Sequence, residues 1–256
     1  MFLPTGDTPN PKNFTPWVNW ILIGLNIGIY ILVSMPLSSR QVDPGDPLVA
    51  EYLRTIQNRI PPNVHPMQIV EQLSQYDLFL FQHGYKPGAP NWMDLFFSMF
   101  LHGGLLHLLG NMLFLWIFGD NVEGRLGHLR YLLFYIICGV AASVFHTLIN
   151  PDSLIPTVGA SGAIYGVLGA YWLCFPHSMV TVFYWIFILF GTFQMRASWV
   201  LGIYVGLDLF KGLNNTGGNV AVWAHVGGFF AGLGLVILMT PKSARGKRPT
   251  RWSVIR

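Results

Sequence analysis

Long runs of uncharged, mostly apolar residues dominate this sequence and limit what it can fold into. Residues 17–35, 95–119 and 131–149 form runs of 19, 25 and 19 residues without Asp, Glu, Lys or Arg. A helix that spans a bilayer needs roughly 20 apolar residues. Only 10% of the residues are charged and 52% are hydrophobic, whereas about a quarter of a soluble domain is charged. The sequence therefore predicts an integral membrane protein.

The second half of the chain predicts three more crossings. Residues 153–195 form 43 uncharged residues, which is too long for one crossing. Two further apolar segments, 197–213 and 220–239, follow this run. The excess of the long run, 180–195, is interpreted as an interfacial or partly inserted connection before the fifth helix. The prediction is an all-α membrane domain of six transmembrane helices over residues 17–240.

Polar segments flank and interrupt this domain. Residues 1–16 precede the first helix, residues 36–92 form a long polar loop, and residues 241–256 form a tail. Short surface helices are predicted within the loop at 47–57 and 67–75. The tail carries six of the 15 Lys and Arg residues, which places it in the cytoplasm by the positive-inside rule. With six crossings, the N-terminus is also cytoplasmic and the loop is external. The net charge of +4 is therefore attributed to membrane topology and not to nucleic-acid binding.

Several polar side chains interrupt the apolar segments, and such residues are functional candidates because they are costly in lipid. They lie near the N-terminal ends of the second, fourth and sixth predicted helices: His102, His107, Asn111, Ser161 and His225. They meet only if these three helices run parallel, from outside to inside. This requires a single returning crossing between the helix of Ser161 and that of His225, which agrees with the count of six.

Glycine pairs predict close contact between the fourth and sixth helices. Gly162 and Gly166 lie on one, and Gly228 and Gly232 lie on the other. Such small-xxx-small pairs let helix backbones approach closely in a membrane. This contact would bring Ser161 and the sixth helix together.

A hydrogen bond between Ser161 and His225 would make the histidine a general base and the serine a nucleophile. His107 and Asn111, four residues apart on one helical face, could stabilise an oxyanion together with the backbone N–H of Ser161. No Asp or Glu is expected at this depth, because Asp208 is interpreted as hydrated near an outer helix end. The prediction is a dyad and not a triad, with Tyr165 stacked on the imidazole.

Other interpretations of these residues remain open. A serine flanked by glycines in a membrane helix is often a packing residue, and the histidines could form interhelical hydrogen bonds. A zinc site from His102, His107 and His225 is disfavoured because no carboxylate or Cys joins them. A six-helix transporter would be favoured by inverted halves, and none is visible. No metal and no cofactor are predicted.

The joint pattern resembles the rhomboid family of intramembrane serine proteases. It consists of His102-x4-His107-x3-Asn111, the segment 119–127 (GDNVEGRLG), Gly159-Ala-Ser-Gly162 and Ala224-His-Val-Gly-Gly228. The resemblance covers about residues 93–240. It implies a six-transmembrane-helix rhomboid-like bundle with Ser161 and His225 as the catalytic dyad. It also implies that His107 and Asn111 help to form the oxyanion hole, and that Glu123 and Arg125 are structural.

The resemblance implies hydrolysis of peptide bonds in or next to transmembrane segments of membrane proteins. The expected partners are transmembrane protein substrates and the lipid bilayer, and the expected location is a plasma or inner membrane. The sequence makes no prediction about oligomeric state.

The sequence departs from the family pattern in two places. The loop 36–92 lacks the Trp-Arg pair of some family members, and the segment 180–195 is unusually apolar. A catalytically silent relative that only binds membrane proteins is disfavoured, because both Ser161 and His225 are present.

Overall fold

The computed structural model describes residues 2–11, 13–214, 216–217 and 220–240, so the predicted basic tail 241–256 lies outside the described residues. The fold is mostly helical. The helices are α1 (Trp17–Ile29), α2 (Met35–Ser38), α3 (Pro47–Ile56), α4 (Pro66–Val70), α5 (Gln75–His83), α6 (Trp92–Phe97), α7 (Leu105–Leu126), α8 (His128–Ile149), α9 (Ser161–Cys174), α10 (Ala197–Leu213) and α11 (Val222–Met239). The strands are β1 (Phe2–Thr8), β2 (Met179–Ile186) and β3 (Leu189–Arg196).

Among the described residues, four helical segments are long and apolar enough to cross a membrane. They are Trp17–Ser38, Leu105–Leu126, His128–Ile149 and Val222–Met239. In the first, a π-helical turn, Tyr30–Ser34, joins α1 to α2. The helix Ser161–Cys174 is apolar but shorter, and α10 contains 17 residues. Each of the six predicted apolar segments therefore contains a helix, and four of these helical segments are long enough to cross a membrane.

The structure corrects the start of the second predicted helix, 95–119. The chain forms α6 and a 3-10 turn, Ser98–Phe100, and becomes helical again only at Leu105. Gly103 and Gly104 come immediately before α7, and glycine is a poor helix former because its backbone loses the most entropy on ordering. His102 therefore lies ahead of α7 and not on it.

A three-stranded sheet corrects the prediction of an all-α fold. β1 pairs antiparallel with β2, and β2 pairs antiparallel with β3. The strands β2 and β3 occupy the segment 180–195, which was expected to be an interfacial connection. Residues 179–186 (MVTVFYWI) are rich in β-branched and aromatic residues, which suit strands. The two-residue turn, Phe187 and Ile188, contains no Gly, Asn or Asp, so the usual hairpin signal was missing.

The sheet is attached to the helices through Asp7 of β1. Asn121 of α7 donates a 2.9 Å hydrogen bond to its carboxylate, and the hydroxyl of Tyr171 near the end of α9 donates another. Both partners lie toward the C-terminal ends of their helices. The sheet therefore covers the end of the helix bundle at which α7 and α9 finish.

Glu123 connects α7 to the start of α1 at this same end. Its side chain is fully buried and accepts hydrogen bonds from the backbone N–H groups of Val18 (3.0 Å) and Asn19 (2.7 Å). These N–H groups belong to the first turn of α1, where backbone donors have no partner within the helix. A carboxylate there is also stabilised by the helix dipole. Glu123 therefore has the structural role that the family resemblance implied.

The helices α9 and α11 pack backbone to backbone along their glycine faces. A Cβ added to Gly228 would lie 2.1 Å from the carbonyl oxygen of Gly162. One added to Gly232 would lie 2.0 Å from the carbonyl oxygen of Gly166. No side chain larger than hydrogen fits at either position, which confirms the predicted small-residue contact. The pairs follow the same order along both helices, so α9 and α11 run parallel.

The long segment between α1 and α7 packs at the opposite end of the bundle from the sheet. The predicted helix at 47–57 matches α3, whereas the one predicted at 67–75 is wrong, because the chain forms α4 and then starts α5 at Gln75. Ser74 caps the start of α5 through a reciprocal hydrogen-bond pair with Asp77. Tyr85, after α5, pairs with Thr157, just ahead of α9.

The buried carboxyl of Asp7 predicts a pH dependence of stability. Burial raises the pKa of Asp7 from 3.8 to about 7. The folded state then holds a proton that the unfolded state loses above about pH 4, so this group lowers stability as the pH rises from about 4 to 7. Asp7→Asn removes the ionisation. We expect the thermal midpoint of Asp7→Asn, relative to the unmodified protein, to increase between pH 5 and pH 8 in detergent. A difference that is constant across this range would contradict the prediction.

Candidate active site

Ser161 and His225 meet at the end of the bundle remote from the sheet. Ser161 is the first residue of α9, and His225 lies in the first turn of α11. The glycine contact between the two helices brings the side chains together, and the Nε2 atom of His225 lies 2.9 Å from the Oγ atom of Ser161. The structure therefore has the hydrogen bond expected from the sequence.

A third residue, Asp208 of α10, completes a chain of hydrogen bonds with this pair. Its Oδ2 atom lies 2.7 Å from the Nδ1 atom of His225. Asp208 is only 6% exposed, so the expectation that it is hydrated is wrong. The expectation that no carboxylate lies at the depth of the histidine is wrong as well. The arrangement is Ser161–His225–Asp208 and not an isolated pair.

The direction of α10 explains why Asp208 was missed and how it could have been found. Because α10 connects the parallel helices α9 and α11, it runs antiparallel to both. Its C-terminal end therefore lies at the depth of their N-terminal ends. Asp208 lies five residues before the end of α10, which is the same depth as Ser161 and His225. The parity argument used for the histidine and the serine therefore applies to Asp208 too, but its proximity to a helix end suggested water as its partner.

Tyr165 contacts both the histidine and the carboxylate. Its ring is stacked on the imidazole of His225, with centroids 4.2 Å apart and planes at 8°, which confirms the predicted stacking. Its hydroxyl donates a 2.5 Å hydrogen bond to Asp208. Lys211 lies one turn further along α10, with its Nζ atom 3.6 Å from the Oδ1 atom of Asp208. The carboxylate therefore contacts His225, Tyr165 and Lys211.

His107 and Asn111 face the segment immediately before Ser161. Gly159 has a φ of +122°, a conformation that glycine adopts readily and other residues avoid. A Cβ there would lie 2.9 Å from the Nε2 atom of His107 and 3.6 Å from the Nδ2 atom of Asn111. Asn111 is buried, and its Nδ2 atom has no hydrogen-bond partner among the described residues. The unused Nδ2 donor of Asn111 therefore lies beside Gly159, two positions before Ser161.

His102 is separate from this hydrogen-bonded group. It is 1% exposed, and its ring lies 5.2 Å from that of His107. Neither of its ring nitrogens has a hydrogen-bond partner within the described part of the chain. No cluster of three or more His, Cys, Asp or Glu side chains with a metal-binding arrangement occurs in that part of the chain.

A cavity of about 1140 Å³ lies beside Ser161 and His225. Its volume is slightly above the range of typical ligand pockets, which is roughly 300–1000 Å³. Its lining includes His107, Asn111, Ser161, Tyr165 and His225. Ser161, His225 and Asn111 therefore all line one cavity.

Comparison with known proteins identifies a family. Residues 89–242 match the family described as Rhomboid domain. RHOMBOID-like protein 4 of Arabidopsis thaliana is 26% identical over 95% of this chain, and the match covers 60% of that relative's length. The mitochondrial RHOMBOID-like protein 6 of the same plant is 28% identical over 93% of this chain and 73% of its own length.

A bacterial relative is more similar over a shorter stretch. Rhomboid protease GluP of Bacillus subtilis is 42% identical over 79 residues, which is 31% of this chain and 15% of that protein. The Rhomboid domain match covers more than half of the chain and includes α7 to α11, the part of the chain that contains His107, Asn111, Ser161, Asp208 and His225. This protein belongs to the rhomboid family.

Proposed function

We propose that this protein is an intramembrane serine protease that hydrolyses peptide bonds in or next to transmembrane segments. The observation that carries the proposal is the 2.9 Å contact between Ser161 Oγ and His225 Nε2 at the start of two parallel membrane helices. Two relatives support it by name: Rhomboid protease GluP and the Rhomboid-type serine protease 2 of Emericella nidulans, which is 28% identical over 62% of this chain.

Ser161 is the proposed nucleophile and His225 the proposed general base. Ser161 Oγ forms a bond to the scissile carbonyl carbon while His225 Nε2 takes its proton. When the carbon–nitrogen bond breaks, the imidazolium returns this proton to the leaving amine. A water molecule then attacks the acyl-enzyme, again with His225 as base, and the hydroxyl of Ser161 is restored. No cofactor takes part in either half of this reaction.

His107 and Asn111 are the proposed oxyanion-hole side chains, together with the backbone N–H of Ser161. The support is the unpartnered Nδ2 atom of Asn111 and its position beside Gly159. A buried donor without a partner is costly. The same donor can stabilise the negative charge that develops on the substrate carbonyl oxygen without having to reorganise.

The proposed topology has six crossings, with α9 and α10 as the two that are shorter than the others. At 1.5 Å per residue, they are about 21 Å and 26 Å long, against a hydrocarbon core of about 30 Å. Helices this short can end below the membrane surface, which would place Ser161, at the start of α9, and Asp208, near the end of α10, within the bilayer. The sheet lies at the same end as Arg125, Arg130 and Arg196, which the positive-inside rule assigns to the cytoplasm.

The proposed substrate is a transmembrane segment that leaves its helical conformation near the site. In lipid, helix carbonyls are held in hydrogen bonds within the segment, so a peptide bond must be freed before Ser161 attacks it. In this proposal the membrane domain 17–240, which includes the external segment 36–92, works as one functional unit. The partners are membrane-protein substrates and the bilayer of a plasma or inner membrane.

Replacement of the nucleophile is the direct test. We expect Ser161→Ala to lower cleavage of a model transmembrane substrate by at least about a thousand-fold, and to abolish labelling by a fluorophosphonate probe. The measurement uses the full chain in detergent and in liposomes. Ser143→Ala, on α8 and away from the cavity, is the matched control and should behave as the unmodified protein. Turnover that persists in Ser161→Ala would refute the proposed function.

The oxyanion role predicts a loss of rate rather than of binding. One such donor is typically worth about a hundred- to a thousand-fold in turnover. We expect Asn111→Ala to lower kcat by this factor while KM changes little, and EDTA to have no effect. Asn150→Ala is the control, because Asn150 also lines the cavity but its amide already donates to the carbonyl oxygen of His146 in the last turn of α8. A raised KM with normal kcat, or inactivation by EDTA, would contradict the role.

The topology predicts where reporters are found. A reporter fused after residue 256 should be cytoplasmic, and one inserted after Asn214, between α10 and α11, should be external. The insertion changes the loop between two helices and leaves both helices intact. Accessibility to a membrane-impermeant thiol reagent at single cysteines placed at the same two sites provides a second measurement. The opposite pattern would overturn the orientation and the parallel arrangement inferred from it.

A further inference from the structure

We propose that Asp208 is a positioning residue that holds His225 in its catalytically competent tautomer, so that the site works as a triad. This inference rests on the proposed serine-protease function. The two nitrogens of His225 have different partners: Nδ1 faces the Asp208 carboxylate at 2.7 Å, and Nε2 faces Ser161 Oγ at 2.9 Å. A carboxylate only accepts hydrogen bonds, so it favours the proton on Nδ1. This leaves the Nε2 lone pair free to take the proton of Ser161.

The carboxylate is itself held in place by neighbours on two helices. Tyr165 of α9 donates its hydroxyl to the Oδ2 atom, and Lys211 of α10 lies 3.6 Å from the Oδ1 atom. Both oxygens of Asp208 therefore have partners. Because the ring of Tyr165 also stacks on His225, one side chain restrains the plane of the imidazole and the position of the carboxylate together.

The location of Asp208 argues against a role in packing alone. An ionisable group in a membrane segment is costly unless it is paired, and it marks a functional site by default. An apolar residue would join α10 to α11 at lower cost, since buried ion pairs are weak sources of stability. Asp208 instead bonds the one nitrogen of His225 that the reaction leaves unused. This is the position from which a carboxylate stabilises the imidazolium that forms during the attack.

The proposed step leaves every proton accounted for. As Ser161 Oγ bonds to the carbonyl carbon, its proton moves to His225 Nε2, and the negative charge moves to the carbonyl oxygen. The imidazolium then carries one proton on each nitrogen, and the Nδ1 proton stays on His225. Asp208 gains no proton. Its negative charge lies next to the new positive charge, which lowers the energy of the state that follows attack.

The first experiment tests the tautomer without any change to Asp208. Histidine labelled with ¹⁵N in the full chain in detergent distinguishes a protonated ring nitrogen from an unprotonated one. The His225 signals are identified by their loss in His225→Gln. We expect the neutral imidazole to carry its proton on Nδ1, with Nε2 unprotonated. A neutral His225 that carries its proton mainly on Nε2 in the unmodified protein would overturn the proposal.

The second experiment separates positioning from folding. We expect Asp208→Asn to lower kcat by a factor on the order of 10⁴, as the same replacement of the carboxylate does in a Ser-His-Asp enzyme, with little change in KM and with a mixed tautomer at His225. Asp208→Glu should recover part of the rate, because it restores the charge. Asp152→Asn, at an exposed site on the same external side, is the control. Normal kcat in Asp208→Asn, or an unchanged tautomer, overturns the proposal.

The variants also separate this inference from the function on which it rests. If Ser161→Ala keeps full activity, the protease proposal fails, whatever Asp208 does. If Ser161→Ala is inactive and Asp208→Asn is fully active, only the role of Asp208 fails. Because the proposed effect acts through His225, Asp208→Asn should add no further loss in a His225→Ala background. A loss in the double variant equal to the product of the two single losses indicates a separate structural role and overturns the proposal.

Discussion

The contact between the backbones of α9 and α11 determines the geometry of the candidate site. Gly162 and Gly166 leave no space between their carbonyl oxygens and the α carbons of Gly228 and Gly232. In lipid, no hydrophobic effect draws helices together, so such close packing is a main source of association. The Ser161–His225 distance follows from it, because both side chains extend from the first turns of these two helices. A bulky residue at these glycines would separate Ser161 from His225.

The sheet determines the position of the third member of the hydrogen-bonded chain. β3 ends at Arg196 and α10 begins at Ala197, so the hairpin sets where this helix starts. Asp208 then lies about 17 Å from Ala197 along the axis of α10, at 1.5 Å per residue. β1 pairs with the hairpin and is held to α7 and α9 through Asp7. The sheet at one end of the bundle thus controls the depth of a carboxylate at the other end.

The polar groups of the candidate site differ in whether they have hydrogen-bond partners. Asp208, His225 and Tyr165 are bonded to one another, so the cost of placing them among apolar helices is partly offset by their mutual hydrogen bonds. Asn111 differs, since its amide nitrogen has no partner in the described part of the chain. The contrast agrees with the proposed reaction, in which His225 is oriented before a substrate binds and the amide of Asn111 stays free for the carbonyl oxygen.

The sequence by itself determined the membrane class, the six apolar segments, the glycine contact and the pairing of Ser161 with His225. Each depends on local composition or on spacing along one helix, which the chain displays directly. Only the tertiary structure decided the sheet and the position of Asp208 beside His225. The sheet joins residues 2–8 to residues 179–196, and its hairpin turn has no glycine or asparagine to mark it. Asp208 lies near a helix end where water and a buried histidine are equally consistent with the sequence. The choice between them depends on the antiparallel direction of α10 and its contact with α11, which is a property of the packed bundle.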